Sequence, residues 1–312
     1  MAKRPLIIDC DTGTDDAIAL VAAFYSPEVD LRALTCVSGN VDLPYTSRNT
    51  LDLVHYLGLD IPVAKGAMTP ILRDLYKIRK IETHGQSGLG DVVLPTTDAP
   101  FCEKPAVEVI YEEAVRCGGE LEIVAVGPLT NIAHAVMVHP DLPGLIKKLT
   151  FMGGAVEGGN TSTVAEFNIF CDPEAARIVL HSGIKDITMV GLDVTLKASL
   201  SEQDRDEIRA IGTPAGEFTA QILDFMFSRL EGGGEDALMH DALALASHIH
   251  DGIVRTEKFY VDAECEGTYT FGHTMVAQGW RWRKEPNCNV ALEVDLPEFK
   301  KWLIGAIRNS AR

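Results

Sequence analysis

The sequence predicts an α/β protein with a mostly parallel central sheet flanked by helices, a single domain over residues 1–312 with helical insertions in its C-terminal third. Two observations carry this reading. Short β-branched runs alternate with amphipathic stretches up to residue 200, the rhythm of βαβ units. Polar clusters recur where the predicted strands end, and in such folds ligands gather outside the carboxyl ends of the strands.

Strands are predicted at Leu6–Asp11, Leu31–Ser38, Ile61–Ala64, Leu121–Val126, Leu149–Met152 and Ile187–Leu192. Between them Asn49–Leu57, Ala106–Arg116, Asn131–Val138 and Glu174–Leu180 carry apolar residues at helical spacing. Asp172-Pro173-Glu174 and Asp295-Leu296-Pro297-Glu298 mark helix starts, where proline has no hydrogen bond to lose. Beyond residue 200 the pattern turns helical, with Glu202–Ile211, Ala215–Leu230 and His240–His248 and a Gly232-Gly233-Gly234 loop between the last two. Strand-like Phe259–Ala263 and Val290–Val294 precede the last helix. No internal repeat, low-complexity tract or long polar linker divides the chain, so one domain is the simplest account.

Hydrophobic residues make up 46% of the 312, enough for a full core, yet no apolar run approaches the roughly 20 residues that span a bilayer. The expectation is a soluble protein with no membrane partner. The start, Met1-Ala2-Lys3-Arg4-Pro5, leads directly into a strand without a signal-peptide pattern, which places the expected location in the cytosol. A formal charge of −17 repels phosphate backbones and excludes nucleic acid as an expected partner. Seven cysteines, odd in number and without a Cys-x-x-Cys pair, argue against a disulfide framework and a structural zinc site. Cys10 lies among carboxylates that raise a thiol's pKa, so it is expected to be a poor nucleophile.

The most informative segment is Asp9-Cys10-Asp11-Thr12-Gly13-Thr14-Asp15-Asp16. Four carboxylates crowded at a strand end repel one another unless a hard divalent cation sits among them. The turn at Thr12-Gly13-Thr14 hands the chain to a helix near Asp15, where acidic residues also favour the helix dipole or cap the first turn. Capping cannot use all four. Alternate residues of a strand face the same side, so Asp9 and Asp11 both point into a cleft only if the strand stays regular that far and its end faces the cleft; we expect Asp11 in the site and Asp9 in a supporting hydrogen bond.

Other clusters add weaker signals. Ser38-Gly39-Asn40 and Val126-Gly127-Pro128-Leu129-Thr130-Asn131 end strands, and the Val126 carbonyl is a candidate calcium ligand. Asn160, Glu166 and Asn168 follow the glycines 153, 154, 158 and 159 and suit hydroxyl groups rather than phosphates, since no Lys or Arg occurs between Lys148 and Arg177. Asp172 and Glu174 read as helix-start residues. His240-Asp241 opens an apolar helix, and a histidine able to protonate a leaving group completes a hydrolytic set beside a metal-activated water.

Together these segments resemble the nucleoside hydrolases of the inosine-uridine-preferring type. Asp9 to Asp16 matches the D-x-D-x-G-x-D-D signature, and the match runs on through Gly39-Asn40, His84-Gly85, Ser87-Gly88, Gly127 to Asn131, Met152-Gly153-Gly154, Glu166-Phe167-Asn168 and His240-Asp241. The resemblance implies a Rossmann-like core and calcium-dependent hydrolysis of the N-ribosidic bond to free base and ribose. It implies Asp11, Asp16, the Val126 carbonyl and Asp241 as calcium ligands, and Asp15, Asn160, Glu166, Asn168 and Asp241 as ribose contacts. Asn40 matches an asparagine near the sugar, Asp11 a general base for the calcium-bound water, and His240 the leading candidate acid with His84 a second. A homodimer or homotetramer is implied.

The base end departs from the family's patterns. Trp280, Trp282 and Trp302 all lie beyond His240, outside the matching segments, which disfavours a purine-stacking pocket. The stretch from Phe225 to Met239 lacks the tyrosine that pyrimidine-preferring and broad members often carry there. The reading leans to pyrimidine-preferring or broad activity on ribonucleosides. Two alternatives are a haloacid dehalogenase-type phosphatase using Asp9 as nucleophile, and a calcium-dependent nucleoside or sugar binder without turnover.

Overall fold

β1 (Arg4–Cys10) is the centre of the molecule: Leu6, Ile7, Ile8 and Cys10 are all buried, the pattern of a strand covered on both faces. The computed structural model describes residues 3–73, 81–229, 236–277 and 284–312. The further strands are β2 (Val29–Cys36), β3 (Val63–Lys65), β4 (Leu121–Ala125), β5 (Ile146–Met152), β6 (Ile187–Val190), β7 (Ser199–Leu200), β8 (Ala237–Leu238), β9 (Val254–Phe259), β10 (Val261–Ala263), β11 (Thr274–Val276) and β12 (Cys288–Val294). The helices are α1 (Thr14–Tyr25), α2 (Leu43–Tyr56), α3 (Ile81–His84), α4 (Ala106–Arg116), α5 (Thr130–Val138), α6 (Phe167–Cys171), α7 (Pro173–Leu180), α8 (Leu192–Thr195), α9 (Glu202–Arg209), α10 (Pro214–Ser228), α11 (His240–Ile249) and α12 (Leu296–Arg308).

Eight strands form one sheet in the order β3-β2-β1-β4-β5-β6-β12-β9, in which every pair is parallel except β12 with β9. From β1 the chain builds outward through β2 to β3, then returns to place β4 on the other side of β1. That reversal opens a crevice at the carboxyl ends of β1 and β4, the place where an open parallel sheet receives ligands.

Alternation along β1 divides the core. Leu6, Ile8 and Cys10 pack with α1, α10, α11 and α12 on one face, while Ile7 joins α4, α5 and α7 on the other. Helix α1 is buried from Thr14 to Ala23 because α10, α11 and α12 cover the side turned away from the sheet. These are the predicted C-terminal helical insertions.

Several boundaries differ from expectation. β1 stops at Cys10, so Asp11 stands just beyond the strand. Helix α2 starts at Leu43, well ahead of Asn49, with proline in its first turn after Asp42. The predicted strand Phe259–Ala263 is two strands of different sheets: β9 pairs with β12, and β10 pairs with β11. Asn287 makes the break, accepting from the Val261 N–H at 2.7 Å and donating to the Val261 carbonyl at 3.0 Å. Trp302 on α12 packs against the core. The Gly232-Gly233-Gly234 loop, Trp280 and Trp282 lie outside the described residues. No helix among the described residues is long and apolar enough to cross a membrane, and all seven cysteines are free thiols.

Candidate active site

Past the end of β1 the chain crosses above the switch point and enters α1 through Gly13. Asp16 ties this turn down, its Oδ2 accepting from the Gly13 N–H at 2.9 Å and its Oδ1 from the Asp11 N–H at 3.2 Å. Asp11 is enclosed by two other strand-end loops. A Cβ on Gly39 would fall 2.1 Å from Asp11 Oδ2, and one on Gly127 would fall 2.7 Å from Asp11 Oδ1. The close approach of these two loops to the Asp11 carboxylate therefore favours glycine at both positions. The Asn40 N–H donates to Asp11 Oδ2 at 2.6 Å, while Asp11 Oδ1 is buried without a hydrogen-bond partner.

Asp9 behaves as expected of a supporting residue. It is fully buried, and its Oδ1 accepts from the Thr35 hydroxyl at 2.5 Å and from Asn131 Nδ2 at 2.7 Å. Burial pushes its carboxyl up to about 7 against those two hydrogen bonds. Its Oδ2 is also unpartnered.

Asp15 and Asp16, in the first turn of α1, meet Asp241 in the first turn of α11; an oxygen from each lies within 4.8 Å of the others, and the three can hold a metal ion. Burial first, and then repulsion among these carboxylates, pushes Asp11, Asp16 and Asp241 well up from their ordinary values. An all-oxygen, like-charged, buried set with the Asp11 Oδ1 unpartnered fits a hard divalent cation, which removes that repulsion. The Val126 carbonyl, expected to be a ligand, accepts from Asn168 Nδ2 at 2.9 Å and keeps a second lone pair.

A cavity of about 790 Å³ opens above this cluster, lined by Asp15, Asn40, Val126 and Asp241 on its floor. Asp11 and Asp16 lie beneath that surface, fully buried. Asn160, Glu166 and Asn168 line one side. Glu166 caps α6, accepting from the N–H groups of Gly154, Asn168 and Ile169, so three backbone donors hold its carboxylate. Asn168 Nδ2 spans the ends of β4 and β5 through the Val126 and Met152 carbonyls. Asn160 Oδ1, at the exposed rim, accepts from the Phe167 N–H at 2.9 Å.

His84 and His240 line the same cavity. The Thr14 N–H donates to His84 Nδ1 at 3.1 Å, and a backbone amide can only donate, so neutral His84 carries its proton on Nε2. His240 Nδ1 pairs with the Thr195 hydroxyl at 2.8 Å. Burial holds the His240 imidazolium below its ordinary range, against the raising effect of Asp15.

Every candidate residue named from the sequence therefore reaches one site. Sequence reading missed Thr195, Ser199, Met226, Arg229 and Asp236, which come to it from α8, β7, the C-terminal end of α10 and the approach to β8. No local signal marks them. Asp172 is the helix-start residue expected, its Oδ1 capping α7 through the Ala175 N–H. Cys10 is raised well above the usual thiol range by its hydrogen bond with Cys36 and by burial.

The chain matches the family described as inosine-uridine preferring nucleoside hydrolase over residues 6–301. It belongs to that family. The nucleoside hydrolase chain is 39% identical over 299 residues to the pyrimidine-specific ribonucleoside hydrolase RihA of Escherichia coli, covering 95% of both chains. A purine-preferring ribonucleoside hydrolase from Gardnerella vaginalis superposes with a TM-score of 0.92 at 33% identity over 99% of each chain. A plant nucleoside hydrolase superposes with a TM-score of 0.92 at 28% identity, over 98% of this chain and 99% of its own. This nucleoside hydrolase is thus an N-glycosidase, and the phosphatase alternative is set aside: its nucleophile, Asp9, is buried behind the cavity.

Proposed function

We propose that this nucleoside hydrolase uses calcium to hydrolyse ribonucleosides and that it prefers pyrimidine bases or acts broadly. The observation that carries the reading is Asp11: a carboxylate with one oxygen anchored on Asn40 and the other unpartnered, inside a buried acidic cluster beneath a nucleoside-sized cavity. Asp11, Asp16, Asp241 and the Val126 carbonyl would hold a calcium ion, which when bound would supply charge neutralisation and Lewis acidity toward water and the sugar hydroxyls.

The protein's own groups supply the rest. Asp11 takes the proton of the attacking water at Oδ1. Asp15 and Asp241 accept from the ribose 2′- and 3′-hydroxyls, so a deoxyribose loses a contact. Asn160, Glu166 and Asn168 orient the sugar from the side, and Asn40 lies against it. As the C1′–N bond breaks, positive charge develops on the sugar ring and these carboxylates stabilise it. His240 is the acid toward the departing base: as an imidazolium it donates from Nδ1 to the Thr195 hydroxyl and gives up its Nε2 proton to the base, while His84 offers a second hydrogen bond from Nε2.

The pyrimidine lean is supported by the name of the RihA relatives, which match 95% of the chain at 39% identity. We also infer a cytosolic homodimer or homotetramer, which light scattering tests for assembly. Reducing-sugar release from uridine, cytidine, inosine and adenosine, with and without a chelator, tests the activity. Release that is abolished by chelator and by Asp11→Ala supports the reading. Tight nucleoside binding without product would make the protein a binder instead.

A further inference from the structure

The acidic floor and the Asn160–Asn168 side give the cavity a sugar end, so the base must extend toward the remaining wall. That wall joins two segments. His84 leads into a loop whose Gly90 N–H donates back to the His84 carbonyl, and a Cβ on Gly90 would fall 2.3 Å from the Phe225 ring of α10. The last residues of α10 therefore sit against the histidine loop. Met226 and, just past the helix end, Arg229 line the cavity from there.

Arg229 is the only lysine or arginine among the described residues lining the cavity, which also carries Asp15, Glu166, Asp236 and Asp241. It makes no ion pair with any of these. Asp236 accepts from the Ser199 hydroxyl at 2.9 Å, and Glu166 is held by backbone N–H groups. The Arg229 guanidinium lies instead over the Phe225 ring, 5.3 Å from its centroid. A planar fork of donors braced on an aromatic ring in the cavity lining is available to a ligand's acceptors.

We propose that Arg229 selects the leaving base, donating to a ring carbonyl on the edge far from the glycosidic bond and so favouring oxo bases (uracil, hypoxanthine) over amino bases (cytosine, adenine). This rests on the hydrolytic reading above. Water adds across the C1′–N bond: its oxygen joins C1′, the bonding pair stays on the base nitrogen, and one proton ends on the base. In an oxo base that pair delocalises onto the carbonyl oxygen, where a permanent cation stabilises it without itself giving up a proton. In an amino base the same edge presents N–H donors that face the guanidinium donors, and the contact is lost.

The test is kcat/KM for uridine, cytidine, inosine and adenosine in the wild-type enzyme, Arg229→Gln and Arg229→Lys. A charge-assisted hydrogen bond of about 1.5–3 kcal/mol corresponds to about a 10- to 100-fold fall for uridine and inosine in Arg229→Gln. Cytidine and adenosine are expected to change by less than about 3-fold on the same scale, and Arg229→Lys to fall between. Equal losses on all four substrates, or an unchanged oxo-to-amino ratio, would overturn the assignment while leaving hydrolysis intact. Wild-type enzyme that releases sugar from none of the four would instead remove the reading on which it rests.

Discussion

The backbone N–H of Asn40 reaches across from the end of β2 to hold Asp11 Oδ2 at 2.6 Å, and the other oxygen of that carboxylate is left without a partner. One oxygen is thus anchored and one is free for chemistry. Replacing Asp11 by Ala is expected to lower kcat by about 10²–10⁴-fold, the usual worth of a positioned general base, with single-turnover kinetics as the check. Activity within a few-fold of wild type would rule out that role.

Metal occupancy should be visible as stability. Because Asp15, Asp16 and Asp241 converge in the folded chain only, calcium at a hundredfold excess over its Kd is expected to stabilise by about 2.7 kcal/mol, raising the Tm by several degrees. Asp16→Asn should abolish the shift. Identical melts with calcium and with chelator would contradict a metal in this cluster.

Gly39 tests the enclosure of Asp11. A methyl group at position 39 meets Asp11 Oδ2 at 2.1 Å, so Gly39→Ala must displace the carboxylate. Overpacking costs about 1–3 kcal/mol, and the expected result is a modest loss in denaturant midpoint with a much larger loss of kcat. A crystal structure of the variant with Asp11 unmoved would contradict this account.

Glu166 is expected to act through its three backbone donors. Glu166→Gln puts an amide donor against one of those N–H groups, and the loss of the cap on α6 should cost about 1 kcal/mol. Raised KM for nucleosides beside a small fall in Tm is the expected pattern. An unchanged KM would separate Glu166 from substrate binding.

One source of acid sensitivity lies far from the site. At the other end of α11, buried His248 donates from Nε2 to Glu122 at 2.9 Å and accepts at Nδ1 from Thr150, while Arg4 also binds Glu122. Burial pushes His248 down to about 4, outweighing the Glu122 contact that raises it. For Glu122, burial raises the pKa, but hydrogen bonds from His248 and Arg4 prevail and hold it at about 2. Both shifts act in the same direction. As pH falls from 6.5 toward 4 the unfolded chain protonates His248 and the folded one resists; from 4.5 toward 2 the same holds for Glu122. Over the first window wild type should therefore lose stability relative to His248→Gln, a difference in melts that isolates His248, because Asp9 and Asp16, raised to about 7 in the folded chain, act in the opposite direction in both proteins.

Much of the site was legible in the residues themselves. A supporting hydrogen bond was the expectation for Asp9, and the structure finds it on Thr35 and Asn131; strand period alone gives Asp9 and Asp11 the same side, and they part because β1 stops at Cys10. Asn160, Glu166, Asn168 and His240 all reached the cavity from segments that stood out as polar clusters at element ends. Phe259–Ala263 did not read correctly, because its apolar pattern continues across a break imposed by Asn287 from another part of the chain. Arg229 and Thr195 carried no local mark, since each gains its meaning from a neighbour that is distant in sequence.

What the chain alone determined is what short-range physics controls: helix and strand periods, the proline and aspartate starts, and an acidic run too dense to be capping. Tertiary structure decided which oxygen of Asp11 is free, which nitrogen of His84 holds the proton, and which cation lines the cavity. Each of these depends on a partner brought in from elsewhere, as the Thr14 amide reaches His84 across 70 residues. A hydrogen bond has direction and a proton has one place, and neither is written until the backbones meet.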